Sequence, residues 1–248
     1  MILLIDAGNS RLKWAWADGE LCSEQISVAH SGEPAPGWLP LMVAAGRQPQ
    51  RILVSNVAGP RFAEVLRAAM TQQFGVDPQF ANVAANAAGV TCAYREPRQL
   101  GVDRWLAVIG AWHRARRAVC VVDSGTATTI DAVDDAGLHL GGMILPGLDL
   151  MTESLFKRTS DIAPAVNPGP SSRVTILADT TSAAVLSGAV FATAALADRA
   201  ASELEKRSGR APALYLTGGT ATRIAPSLAR AHEVVPDLVL RGLAIWGR

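Results

Sequence analysis

The sequence predicts an α/β chain built from two similar halves, each a mixed sheet flanked by helices. Three observations predict it. Two apolar runs of strand length, Ile2–Ile5 and Val119–Val122, each end on an aspartate followed by Asp-x-Gly turn chemistry. Each run is continued by a second alternating run, which is a hairpin signal. Around both hairpins, short apolar runs alternate with segments of helical spacing.

Taken in order, the run Ile2–Ile5 reads as a first strand. Met1–Asp6 has no basic region and no cleavage site, so it does not read as a signal peptide. The chain turns at Asp6-Ala7-Gly8-Asn9-Ser10 into the alternating run 12–19. A Pro- and Gly-rich loop is expected at 31–40, and a strand at 51–56. Residues 60–74 have helical spacing, with Phe62, Val65, Leu66 and Met70 on one face and Gly75 as a stop. Trp105, Val108, Ile109 and Trp112 form another helical stripe.

The second apolar run enters Asp123-Ser124-Gly125-Thr126-Ala127-Thr128 and continues through 128–137. A second loop is expected at 163–170. An Ala-rich helix follows from Thr181 to Arg207, with Gly209 placed as a C-cap. Leu214–Leu216 is a short strand entering Thr217-Gly218-Gly219-Thr220. The recurrence of one hairpin design implies a duplicated unit with its boundary near residue 117, giving halves 1–117 and 118–248.

Composition narrows the class. The chain has 248 residues, 49% hydrophobic and 18% charged, enough to build a core and unlike disordered chains. A net charge of +1 gives no support for a nucleic-acid or membrane-surface partner. Cys22, Cys92 and Cys120 are far apart with no CxxC pair, against a disulfide framework or zinc site. Cys120, inside an apolar run, reads as a buried strand residue. No stretch is read as approaching the roughly 20 apolar residues of a membrane span. His30, His113, His139 and His232 share no ligand spacing and read as structural or surface residues.

The chemistry is expected at the turns. Glycine lets a backbone approach phosphate closely, and turn N–H groups with a Ser or Thr hydroxyl donate to phosphate oxygens. The aspartate is then placed to hold a metal, directly or through water. One such turn reads more simply as a hairpin bend. Two copies, each after a buried strand, favour function: two facing turns that clamp the phosphate tail of a nucleotide. Gly218 and Gly219 could let a base and ribose lie against the backbone, or form an ordinary αL turn. Asp103 could be a base or a salt-bridge partner of Arg104 or Arg98. Spacing leaves those alternatives open.

This set resembles the sugar-kinase, heat-shock-protein-70 and actin superfamily, whose two ribonuclease-H-like (actin-like ATPase) domains clamp ATP. Between the hairpins the resemblance narrows. Tyr94-Arg95-Glu96-Pro97-Arg98-Gln99-Leu100-Gly101-Val102-Asp103-Arg104-Trp105 resembles a block of the type III pantothenate kinases. Gly141-Gly142-Met143-Ile144-Leu145-Pro146-Gly147 and Thr181 resemble further blocks, so the match runs from Met1 to about Gly219. Ser10 stands where the family often carries threonine, which keeps the hydroxyl.

The resemblance implies phosphorylation of pantothenate by ATP, the first step of coenzyme A synthesis, in a cytoplasmic homodimer. It implies Asp103 as the general base. Tyr94, Gly101, Val102, Asp103, Arg104 and Thr181 would line the pantothenate site. Asp6, Ala7, Gly8, Asn9, Ser10, Arg11, Leu12 and Lys13 would form the first nucleotide turn, with Thr126, Gly218 and Gly219 completing the nucleotide site. Asp6 would sit by Mg²⁺, and Asp123 would hold a monovalent cation, K⁺ or NH₄⁺. The resemblance extends to accessory factors for virulence-gene expression (Bvg accessory factor-like proteins). A non-catalytic regulator on the same fold, or a kinase for another small hydroxy acid, is therefore the alternative.

Overall fold

The computed structural model describes residues 1–19, 21–30, 37–44, 46–158 and 174–248. The loop expected at 163–170 lies outside them, as does 31–36 of the loop expected at 31–40. The chain divides into two compact units, residues 1–114 with 237–248, and residues 115–236.

In the first unit the chain runs through β1 (Ile2–Ala7), β2 (Arg11–Asp18), β3 (Leu21–Cys22), β4 (Ile26–Ala29) and α1 (Trp38–Val43). It continues through β5 (Arg51–Asn56), α2 (Pro60–Phe74), β6 (Gln79–Phe80), β7 (Asn86–Ala87), β8 (Val90–Thr91) and α3 (Val102–Ala115). Helix α1 begins inside the segment expected to be loop through Pro40. Proline in a first helical turn removes no helical hydrogen bond, and Trp38 and Met42 bury one face. Helix α2 ends as expected at Gly75, whose φ of 67° suits glycine. Phe62, Leu66, Met70 and Phe74 form its buried face, whereas Val65 is exposed. Phe74, one turn beyond Met70, completes the stripe instead.

The sheet order is β3-β2-β1-β5-β6, with β4 also paired to β2. Strand β1 lies antiparallel to β2, Asp6 opposite Lys13, and parallel to β5, Asp6 beside Ser55. Leu3, Ile5, Trp14, Ile52, Val54, Phe62 and Leu66 belong to one apolar core.

The second unit contains β9 (Val119–Ser124), β10 (Ala127–Val133), β11 (His139–Pro146), α4 (Leu148–Arg158), α5 (Thr181–Ser208), β12 (Ala213–Thr217), α6 (Ala221–Ile224) and β13 (Glu233–Val234). Its sheet order is β11-β10-β9-β12-β13. Strand β9 lies antiparallel to β10, Asp123 opposite Thr129, and parallel to β12, Asp123 beside Thr217. The second sheet thus repeats the first: a central strand ending in aspartate, a hairpin partner on one side and a parallel strand on the other.

Helix α5 is capped by Thr180 at its start and by Gly209, φ 71°, at its end. Contrary to the sequence expectation, it is long and apolar enough to cross a membrane by length and composition. Its alanines raise the mean hydropathy, and Leu186, Val190, Ala194 and Ala197 are buried in the second unit's core.

The stripe expected on α3 is present, with Trp105, Val108 and Ile109 fully buried, and burial extends to every residue from Arg104 to Ala111, the pattern of a helix enclosed on all sides. The second half was expected to run to residue 248, but α7 (Leu238–Trp246) belongs to the first unit. The reason is close packing: a Cβ on Gly110 would lie 2.6 Å from the Leu238 carbonyl oxygen, and one on Gly242 would overlap that of Leu106. Only paired glycines let α3 and α7 approach this far.

Candidate functional site

In the first unit the strand end and the start of α3 bring two carboxylates near each other. Asp6 is the penultimate residue of β1 and only 4% exposed. Burial raises its pKa above the ordinary 3.8, opposed chiefly by the Lys13 charge. Lys13 Nζ lies 3.6 Å from Asp6 Oδ2. The other carboxylate oxygen, Asp6 Oδ1, is buried with no hydrogen-bond partner, as is Ser55 Oγ. A buried anionic oxygen without a partner is costly, and a hard cation would satisfy it.

Asp103 is the second residue of α3, and its Oδ1 accepts the Arg104 N–H at 2.8 Å. Burial raises its pKa; the backbone hydrogen bond from Arg104 opposes this, and the charge on Asp6 raises it further. Gly101 makes this conformation possible, since a Cβ there would lie 2.6 Å from Asp103 Oδ1. Arg104 is 6% exposed, donates to Tyr94 Oη at 3.2 Å, and has its guanidinium 5.9 Å from the Tyr94 ring centroid. Val102, half-buried, opens the same helix.

The turn after β1 is short and open. The Gly8 N–H donates to the Arg11 carbonyl at 3.0 Å, and Asn9, Ser10 and Arg11 are exposed. The side chains of Ala7 and Leu12 are buried in the apolar core, so only their backbone could reach a ligand. Arg11 Nε is held by Ser27 Oγ at 2.8 Å.

The second unit gathers a different set. Asp123 is half-buried at the end of β9. Gly218, φ +92°, sits directly over it, and a Cβ there would lie 2.5 Å from Asp123 Oδ1. Gly219 has open space around its Cα. Thr126 is exposed, and its carbonyl accepts the Gly147 N–H at 3.0 Å. Thr181 is exposed at the first position of α5.

Two residues around these turns, Ser124 and Thr220, were given no role in the sequence reading. Ser124 Oγ lies 2.6 Å from Thr220 Oγ1 and 3.0 Å from Thr128 Oγ1. Both the N–H and the hydroxyl of Thr220 donate to the Ser124 carbonyl at 3.0 Å. Thr220 thereby ties the Gly218-Gly219 loop to the Asp123 turn. Its place just after the glycine pair was the one available signal. Asp131 is 2% exposed and pairs with fully buried His139 at 3.0 Å, a structural pair as the sequence suggested for the histidine. Asp134 accepts the N–H groups of Ala136 and Leu138, which makes it a turn anchor. Cys120 is fully buried, and burial pushes its thiol up to about 12. Among the described residues no cluster of three or more His, Cys, Asp or Glu is arranged to hold a metal, so any cation here would draw on one or two carboxylates.

Residues 2–203 match the profile of the type III pantothenate kinases. The chain is 37% identical to the type III pantothenate kinase of Nitrosococcus oceani, over 98% of this chain and 92% of that one. It is 38% identical to that of Alkalilimnicola ehrlichii, over 99% and 97%. In structure it resembles a 2-dehydro-3-deoxygalactonokinase-like protein of Sinorhizobium meliloti, TM-score 0.57 at 15% identity, covering 98% of this chain and 97% of the other. It also resembles a Baf family transcriptional activator-like protein of Campylobacter jejuni, TM-score 0.54 at 22% identity, covering 97% and 94%. These likenesses give the actin-like ATPase and sugar-kinase fold. Both the profile and full-length relatives agree, and the chain belongs to the type III pantothenate kinase family.

Proposed function

We propose that this kinase transfers the terminal phosphoryl group of ATP to the hydroxyl of pantothenate with Asp103 as base, giving 4′-phosphopantothenate and ADP at the entry to coenzyme A synthesis. The observation that carries the reading is the pairing of Asp6 and Asp103. A buried carboxylate, Asp6, and a half-buried one, Asp103, both with raised pKa values and the second raised in part by the first, mark a place built for cation and proton chemistry.

The division of labour follows from chemistry. Phosphoryl transfer proceeds through a loose transition state, so positioning and charge matter more than nucleophile activation. Asp103 orients the pantothenate hydroxyl and accepts its proton as the oxygen–phosphorus bond forms and the bridging bond to ADP breaks. Arg104, its ring partner Tyr94, and Gly101 with Val102 hold pantothenate, whose carboxylate suits a guanidinium fork. Thr181 contributes a hydroxyl to the same substrate. Gly8, Asn9, Ser10 and Lys13 hold phosphate through backbone and side-chain donors, with Ala7, Arg11 and Leu12 shaping the turn. Asp6, with its unpartnered Oδ1, fits Mg²⁺, which when bound supplies charge neutralisation for the phosphate oxygens. Thr126 donates to phosphate, and Gly218 with Gly219 accommodates the nucleoside. Asp123 with nearby carbonyl oxygens suits a monovalent cation, K⁺ or NH₄⁺.

The chain acts as a cytoplasmic homodimer without nucleic-acid or membrane partners in this reading. Support for self-association is an exposed row of small residues, Ala184, Gly188 and Ala192, along α5. Exposed Met143 and Ile144 on β11 add apolar surface. The test is a coupled ADP-release assay with pantothenate and ATP, with and without potassium. Pantothenate-dependent ADP release supports the reading; none under any condition would leave the non-catalytic regulator.

A further inference from the structure

We infer that His30 is a positioning residue for the first phosphate turn. The inference rests on the reading of Gly8–Ser10 as that turn.

His30 follows β4, an edge strand paired to β2, and reaches the turn from two directions. Its Nε2 lies 2.8 Å from the Gly8 carbonyl oxygen, and its backbone N–H donates to the Ser10 carbonyl at 3.0 Å. A carbonyl can only accept, so Nε2 is the donor and carries a hydrogen. One residue therefore fixes the carbonyls at both ends of the Gly8-Asn9-Ser10 turn. Across a planar trans peptide, C=O and the following N–H point in opposite directions. Drawing the Gly8 carbonyl toward His30 aims the Asn9 N–H to the other side, away from the imidazole. A donor held in advance costs less to order when an anion binds.

The imidazole is itself held. Its ring centroid lies 4.8 Å from that of Phe62, with the planes 43° apart. Phe62 is 1% exposed in the first unit's core, near the start of α2. The chain of support thus runs from the core through Phe62 to His30 and on to the Gly8 carbonyl. Both contacts of His30 fall on the Gly8-Asn9-Ser10 turn, so the geometry assigns His30 to nucleotide affinity.

The experiment compares His30→Ala and His30→Gln with the wild-type chain, measuring KM for ATP, KM for pantothenate, kcat, and calorimetric binding of Mg-ADP. Glutamine offers an amide donor of similar reach. His30→Ala is expected to raise KM for ATP and the Mg-ADP dissociation constant by about fivefold to tenfold, the scale of one lost hydrogen bond. KM for pantothenate stays within about twofold, and His30→Gln recovers most of the loss. Unchanged ATP and Mg-ADP affinity in His30→Ala overturns the inference. Equal loss toward both substrates, without recovery by glutamine, also overturns it, since that is the signature of a general structural defect. Lys13→Ala is run in parallel: if it also leaves ATP affinity unchanged, the phosphate-turn reading itself fails. If only Lys13→Ala weakens ATP, the role of His30 alone is lost.

Discussion

The charge on Asp6 helps to hold the proton on Asp103. The two residues come from different elements, the end of β1 and the first turn of α3. Burial is the larger cause of the raised pKa of each, and the predictions about catalysis start there.

Asp103→Asn should keep the fold and much of the substrate binding while lowering kcat by about 10²-fold or more, the range for a positioned proton acceptor. The wild-type pH profile follows from the raised pKa of Asp103. The base works only when ionised, so kcat/KM should fall as pH drops through a value above the ordinary 3.8. A variant with near wild-type kcat would exclude Asp103 as base.

The same shifts predict an effect on stability. Below the ordinary value of 3.8 these carboxyls are neutral in both folded and unfolded chains. As pH rises between that value and the raised folded values, the unfolded chain releases protons first, so folded stability falls and then stays reduced. Asp6→Asn should therefore raise the neutral-pH melting temperature of the ligand-free protein while abolishing turnover. Mg-ATP should stabilise the wild type by mass action, about 2.7 kcal/mol at 100 times Kd, and do so far less in the variant. Scanning calorimetry with and without Mg-ATP at several pH values tests both halves.

What the sequence revealed here divides along physical lines. The turns were legible because the chemistry that builds them is local: Asp, Gly and a hydroxyl residue within five positions after an apolar run. Helix ends at Gly75 and Gly209 were legible for the same reason. Burial of α3 on all sides was not, since its periodicity shows one stripe and says nothing of what covers the rest. Nor was the assignment of α7 to the first unit, which depends on the contact of Gly110 with the α7 backbone across more than half the chain. His30 and Thr220 were missed because their partners, Gly8 and Ser124, are backbone groups distant in sequence.

The cation reading predicts that activity is low in sodium-only buffer and recovers with potassium or ammonium. Asp123→Ala should remove that response. Gly218→Ala offers a second route, because its Cβ would press on Asp123 Oδ1 and its φ of +92° disfavours any side chain. Equal initial rates in sodium and potassium for the wild type would remove the monovalent cation from the mechanism.

Self-association should depend on the small exposed row of α5. Gly188→Glu adds a charged side chain at a position with open space in the single chain, so the fold itself should tolerate it. Light scattering at micromolar concentration should report a dimer for the wild type and a smaller mass for the variant. A wild-type monomer with full turnover would contradict the dimer.

The last prediction concerns how the helix that carries Asp103 is held. Helix α3 carries Asp103 and Arg104 in its first turn, and Gly110 lies two turns further along, against α7. A methyl group on Gly242 would overlap the Leu106 carbonyl oxygen, and backbone cannot swing aside as a side-chain end can. The helices must separate to admit it, and each ångström of separation loses contacts among Leu106, Leu238 and Leu243, all fully buried. Overpacking of this kind costs about 1–3 kcal/mol. Alanine's better helix propensity offsets at most about 1 kcal/mol of that. Gly242→Ala should therefore lower the denaturation midpoint, and because α3 moves with the contact, kcat should fall more than KM for ATP. Gly188→Ala, an alanine at an open helical position, is the control and should be neutral or stabilising. A Gly242→Ala chain as stable and as active as the wild type would show that α7 does not fix the position of Asp103.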